Sequence, residues 1–76
     1  MINIGKMIKD ELDRQGHSVG WLAKELECNR STVYRYVARN SIDTAVLADI
    51  SIVLKKDFFR VISEEINIPD SSSYAG

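Results

Sequence analysis

The chain has 76 residues, of which 45% are hydrophobic and 28% are charged, and its formal net charge at pH 7 is −1. This length allows one domain at most, and the hydrophobic fraction is too high for an intrinsically disordered protein. The sequence contains no apolar run near the ~20 residues of a membrane span and no apolar stretch typical of a signal peptide. Its single cysteine cannot form an intramolecular disulfide, so we expect a cytoplasmic protein.

Apolar spacing predicts a first helix over 4–15. Ile4, Ile8 and Leu12 stand four residues apart and would form one buried stripe. Gly16 is suited to end this helix, because glycine adopts the left-handed conformation without a Cβ penalty.

A second, shorter helix is predicted over 19–26. Ser18 is placed to cap it, since a serine side chain there accepts a hydrogen bond from a free amide of the first turn. Leu22, Ala23 and Leu26 would form its inner face. Trp21 falls off that face, and we expect it to pack against the third or fourth helix.

The third predicted helix covers 30–38, after a turn over 27–29 in which Asn29 would be the N-cap. Its buried side is predicted to contain Val33, Tyr36 and Val37. The segment 28–40 holds three arginines and no acidic residue, although the chain as a whole is slightly acidic.

Two further helices are predicted in the second half of the chain. Asp43 would cap the fourth, whose apolar residues exceed one stripe, so we expect neighbours on two of its sides. Asp57 would cap the fifth, over 58–65. The predicted organisation is one domain over 1–66 and a flexible tail over 67–76.

Residues 19–37 match the helix-turn-helix pattern, in which apolar or small residues recur at fixed positions, here Leu22, Ala23, Leu26, Cys28, Val33 and Tyr36. The chain from Ile4 to Ile66 resembles the XRE family of small five-helix domains, which includes the lambda and Cro-type repressors. The resemblance implies an all-α, five-helix, lambda-repressor-like fold. The family usually has glycine in the turn where this chain has Glu27, so we expect a strained turn or one of slightly different shape.

The resemblance also implies a sequence-specific regulator of transcription that binds double-stranded DNA with its third helix. The positions that match the family's base contacts are Arg30, Ser31 and Arg35. Contacts with the DNA backbone are expected from Ser18, Asn29, Thr32, Tyr34, Arg39 and Asn40. One small module makes few base contacts, so we expect a homodimer, with an interface drawn from Phe58, Phe59, Ile62 and Ile66.

A different class of function stays open. The acidic second half of the chain is also compatible with a protein-interaction module of the same fold, such as an antitoxin or a phage-type accessory factor, in which DNA binding is secondary or lost. The sequence has no paired Cys and His at ligand spacing, no glycine-rich phosphate loop and no nucleophile elbow. We therefore expect no enzyme activity, no metal or cofactor and no small-molecule substrate. His17 and Cys28 are interpreted as structural residues.

Overall fold

A computed structural model describes residues 2–67 of the chain. These residues form five helices, namely α1 (Ile4–Gln15), α2 (Val19–Glu25), α3 (Arg30–Ala38), α4 (Thr44–Leu54) and α5 (Phe58–Ile66). The described part of the chain contains no β-strand, and the predicted all-α class is confirmed. The four helices with predicted ranges agree with them to within one residue, and α4 begins directly after its predicted cap, Asp43. The predicted tail lies outside the described residues, except for Asn67.

One apolar core joins all five helices. The predicted stripe of α1 is buried, and Leu22 of α2 and Val33 of α3 are completely enclosed. The buried apolar side chains are Ile4, Ile8, Leu12, Val19, Leu22, Ala23, Val33, Leu47, Ile50, Leu54 and Phe58. Helix α3 packs against both α1 and α2, and α5 packs against α4. Within residues 2–67, no helix has both the length and the apolar character of a membrane span.

Side-chain caps fix the starts of the helices. The predicted caps Ser18, Asp43 and Asp57 accept hydrogen bonds from the amides of Trp21, Ala45 and Arg60, at 3.0, 2.8 and 3.1 Å respectively. Asn29 occupies the predicted N-cap position of α3 but its side chain makes no capping hydrogen bond. Gly16 ends α1 in the predicted left-handed conformation, with a φ of 77°.

The start of α1 is joined directly to the end of α3. The amide of Gly5 donates a hydrogen bond of 2.9 Å to the carbonyl of Arg39, and the amide of Ile4 donates one of 3.3 Å to the carbonyl of Asn40. A Cβ atom on Gly5 would lie 2.7 Å from the carbonyl carbon of Val37 and closer still to the carbonyl oxygens of Val37 and Arg39. Only glycine therefore allows this approach of two backbones. The contact holds the C-terminal end of α3 in place.

A buried carboxylate joins α1 to the connection between α4 and α5. Glu11 is only 5% exposed. It accepts hydrogen bonds from Arg14 and from the Gln15 amide, and the Lys56 ammonium lies 3.5 Å from it. Gln15 also donates to the carbonyl of Leu54 at 2.8 Å. The hydrogen bond from Arg14 is the main reason that the pKa of Glu11 falls from 4.5 to about 2.

Replacing Glu11 by glutamine removes the carboxylate that Arg14 and Lys56 neutralise, and is expected to lower the free energy of unfolding at neutral pH by on the order of 1–2 kcal/mol. The loss is no larger because the Arg14 side chain is exposed and its ion pair is weakened by solvent. The folded-state pKa is below the unfolded one, so this stabilisation is present above about pH 4.5 and is lost as the pH falls towards 2. Urea unfolding of both proteins at several pH values measures the difference, which should shrink on acidification. The control is Asp13→Asn on the same helix, where an exposed ion pair with Lys9 should contribute less than about 0.5 kcal/mol. A difference that stays constant with pH would contradict the assignment.

Two predictions about the second half of the chain are corrected. Phe58 was expected at a dimer interface, but it is 0% exposed because the first turn of α5 inserts it into the core. Helix α4 was expected to have neighbours on two sides. Leu47, Ile50 and Leu54 are buried on one side, whereas Ile52 is 74% exposed, so no helix among residues 2–67 covers the opposite side of α4.

Candidate nucleic-acid interface

Helix α3 is anchored on one side and free on the other. Val33 is completely buried, and Tyr36 and Val37 are half-buried against the core. Arg30, Ser31, Tyr34, Arg35 and Ala38 are exposed. At 100° of rotation per residue these five positions fall within an arc of roughly 140°, on the side opposite Val33. We refer to this surface, with Arg39 at its C-terminal end, as the α3 face.

The turn before α3 holds Glu27 in the left-handed region, with a φ of 56°. The amides of Glu27 and Cys28 donate hydrogen bonds to the carbonyls of Lys24 and Ala23, at 3.1 and 2.9 Å. The turn is closed although the residue with positive φ is not glycine, at a cost of roughly 1–2 kcal/mol. The strain expected from the sequence is thus present, and Cys28 is half-buried beside the core, as a structural residue would be.

The three residues predicted to contact bases lie together on the α3 face. Arg30 and Ser31 belong to the first turn of α3, and Arg35 follows one turn later. The guanidinium of Arg30 lies against Gly20 of α2, where a Cβ atom would come within 2.9 Å of Arg30 Nε. Arg35 donates a long hydrogen bond of 3.5 Å to the hydroxyl of Thr32. Arg30 therefore lies at the α2 side of the face and Arg35 at its outer edge.

Of the residues predicted to contact the DNA backbone, Tyr34 and Arg39 belong to the α3 face, Asn29, Thr32 and Asn40 are close to it in sequence, and Ser18 lies at the start of α2. The Ser18 hydroxyl oxygen accepts from the Trp21 amide, which leaves its hydrogen free to donate to a phosphate oxygen. Tyr34 is 57% exposed and Asn29 is exposed with no capping bond. Arg39 and Asn40 are exposed side chains whose carbonyls bind the start of α1. Thr32 is half-buried and lies at the margin of the face.

The α3 face collects three of the cationic side chains that have no carboxylate partner. Of the seven cations elsewhere in the chain, Lys24 and Lys55 are also unpaired among residues 2–67, and five are paired with carboxylates, namely Lys6, Lys9, Arg14, Lys56 and Arg60. Arg30, Arg35 and Arg39 form no ion pair with any residue between 2 and 67. Their positive charge is therefore not neutralised by the described part of the chain, and it is available to an anionic partner.

Two glycines contribute to this surface and were missed at the sequence level. Gly5 allows α1 to hold the end of α3, and Gly20 makes room for the Arg30 side chain. A glycine inside a helical pattern often marks a close approach, and both residues lie inside predicted helices. That signal was present in the sequence, but it does not identify the approaching group.

Trp21 has a neighbour that was not predicted from the sequence, and its predicted packing against α3 or α4 stays a prediction. Its indole is stacked on the His17 imidazole, with ring centroids 3.6 Å apart and planes inclined by 5°. Trp21 is half-buried against the core beneath this stack. Among residues 2–67 no three His, Cys, Asp or Glu side chains are close enough together to hold a metal ion.

Comparison of the chain with models of known protein families, with curated proteins and with solved structures finds no match. The functional assignment of the α3 face therefore rests on the geometry and charge of its own residues.

Proposed function

We propose that this protein is a sequence-specific, double-stranded DNA-binding regulator of transcription with a lambda-repressor-like fold, and that α3 lies in the major groove. The observation that supports this most directly is the clustering of three exposed arginines on the α3 face, all unpaired among residues 2–67, whereas five of the seven other cations are paired. Phosphates supply the missing negative charge, and neutralising them releases bound counterions.

The arrangement of α3 suits direct recognition of base edges. An α-helix fits the major groove, where each base pair presents a distinct set of donors and acceptors. Residues at the start of a recognition helix reach the base edges first, and here these are Arg30 and Ser31. An arginine can donate two hydrogen bonds to guanine O6 and N7, which is worth ~1–3 kcal/mol of discrimination. Ser18, at the start of α2, and Arg39, at the C-terminal end of the α3 face, are suited to phosphates.

We further propose that the protein binds DNA as a homodimer formed through α5. Phe59 and Ile66 are 40% and 50% exposed, and Ile62 is half-buried on the same helix. Exposed apolar side chains on one short helix are typical of a surface that another molecule covers. Two copies would double the base contacts and fix the spacing of two half-sites at about one helical turn.

Selection of binding sites from random duplex DNA is the experiment that tests this function. We expect an enriched, two-fold symmetric sequence whose half-sites are about 10 base pairs apart. The binding constant for the selected site should fall with salt, with a slope of log K against log salt near −0.9 for each phosphate neutralised. Absence of any enriched sequence, together with a binding constant that does not change with salt, would contradict the proposal.

A second candidate function is favoured by the exposed apolar residues of α5. If Phe59 and Ile66 bind a different protein, the molecule is an interaction module in which DNA binding is secondary. Replacing Phe59 by serine separates the two functions. A DNA-binding dimer should become a monomer and lose affinity for the two-half-site DNA, whereas an interaction module was never dimeric and would show no change in either measurement.

A further inference from the structure

Four large apolar side chains among residues 2–67 are exposed, namely Tyr34, Ile52, Phe59 and Ile66. Phe59 and Ile66 lie on α5, where the proposed dimer would cover them. Tyr34 and Ile52 are 57% and 74% exposed and lie on different surfaces. Tyr34 is surrounded by the arginines of the α3 face. Ile52 lies on the outer side of α4, among acidic side chains.

The surface around Ile52 is an open depression of about 290 Å³ between α4 and the end of α2. We call it the acidic groove, and it is lined by Leu26, Ile52, Val53, Glu25, Glu27 and Asp49. Asp49, Ile52 and Val53 share one side of α4, since residues three and four apart are neighbours on a helix. The three carboxylates form no ion pair with another residue between 2 and 67.

These properties limit what can occupy the acidic groove. Three carboxylates repel phosphates, so a nucleic acid is excluded. The volume lies at the lower limit for small-molecule sites, and the groove is open, so it is better suited to one large side chain of another protein. A fitting partner has an exposed apolar or aromatic side chain with cations on both sides of it.

Glu27 lies in the turn at one edge of the acidic groove. Its positive φ is a conformation that glycine adopts with less strain, yet the position holds a glutamate. The Glu27 side chain makes no hydrogen bond or ion pair with any residue between 2 and 67, so its carboxylate is available to a partner.

The α3 face of a second copy has the required chemistry. Tyr34 is its exposed aromatic side chain, Arg30 lies one turn before it and Arg35 directly follows it, and both arginines are unpaired within the described part of the chain. We propose that the acidic groove of one molecule binds the α3 face of another, with Tyr34 against Ile52 and the arginines against Glu25, Glu27 and Asp49. In this contact the carboxylates occupy the place that phosphates have in the proposed DNA complex. Self-association and DNA binding therefore exclude each other, and only this mutual exclusion depends on the proposed function.

The test is NMR of the ¹⁵N-labelled protein in low salt, from about 20 µM to about 1 mM, a range that detects weak self-association. With increasing concentration, amide signals from the acidic groove and from the α3 face should move together. Added salt should reverse the shifts, because exposed charges are screened beyond about 10 Å at 0.1 M. Shifts confined to α5, or no shifts at all, would overturn the proposal.

Variants separate docking from folding. Glu27→Gly should raise the thermal unfolding temperature, since it removes the strain, and should abolish the concentration-dependent shifts. Ile52→Ser changes an exposed side chain and should also abolish them. Unchanged shifts in either variant would exclude the acidic groove.

Charge reversal tests the pairing directly. Glu27→Arg alone and Arg35→Glu alone should each associate less than the wild type. An equimolar mixture of the two variants should recover the shifts. In the mixture, the unchanged groove of the Arg35→Glu variant can bind the unchanged α3 face of the Glu27→Arg variant, and the two altered surfaces also carry opposite charges. No recovery in the mixture would overturn the pairing of Glu27 with Arg35. DNA that binds should displace the second copy, and if no DNA binds, the self-association is still measured without it.

Discussion

Replacing Gly5 by alanine is expected to destabilise the protein by at least about 2–3 kcal/mol, and to lower its melting temperature by roughly 10–20 °C. The added Cβ would overlap the backbone of Val37 and Arg39, which cannot rotate away as a side chain can. The start of α1 would have to move from the end of α3 and lose the hydrogen bonds of Ile4 and Gly5. Thermal and urea unfolding measure the loss. Faster hydrogen exchange at those two amides would locate it.

Gly20→Ala is the matched control for this substitution. Gly20 also lies inside a helix, but the atoms near its added Cβ belong to the flexible end of Arg30. Alanine favours a helix over glycine by up to about 1 kcal/mol, so this variant should be as stable as the wild type or slightly more stable. If both variants lost the same stability, the contact between α1 and α3 would not be the cause.

The double substitution Arg30→Ala with Arg35→Ala should weaken binding to a selected DNA site by at least about 30-fold, since two base contacts of ~1–3 kcal/mol each would be lost. Both side chains are exposed, so the fold should be unaffected. Fluorescence anisotropy with the selected duplex and with a scrambled duplex measures affinity and specificity together. We expect the ratio of the two affinities to fall as well as the affinity itself.

The control for this prediction removes the same charge elsewhere. Lys6→Ala with Lys9→Ala deletes two exposed cations from α1 that are paired with Asp10 and Asp13. If only net charge mattered, both double variants would weaken DNA binding equally. Equal loss, or unchanged binding in the arginine variant, would show that α3 is not the recognition helix.

The elements of this fold were predictable because their signals are local. Ile4, Ile8 and Leu12 recur with the helical period, and such a stripe becomes stable only when it is buried. Ser18, Asp43 and Asp57 stand before helices and satisfy free amides within the next three residues. The predicted exposure of Arg30, Ser31 and Arg35 follows from the same periodicity, since Val33 is on the buried side. Their role in binding DNA stays a prediction.

Contacts between distant parts of the chain were decided by the tertiary structure alone. Phe58 and Phe59 are adjacent and chemically identical, and only the direction of α5 places one in the core and leaves the other exposed. The exposure of Ile52 likewise depends on which side of α4 the other helices cover. The ion pair of Glu11 with Lys56 also joins residues that are far apart in sequence.

Five helices, their approximate ends and the residues that α3 exposes could be predicted from the sequence, because helix formation and capping depend on neighbours within about four residues. Tertiary structure alone brought Gly5 against Arg39, Gly20 against Arg30, and Glu27 beside Ile52. Those contacts depend on the angles and distances between helices, and no short-range pattern encodes them. The position of a residue in the helical period of α3 therefore predicts whether it is exposed. Packing against Gly20 of α2 decides where the guanidinium of Arg30 lies.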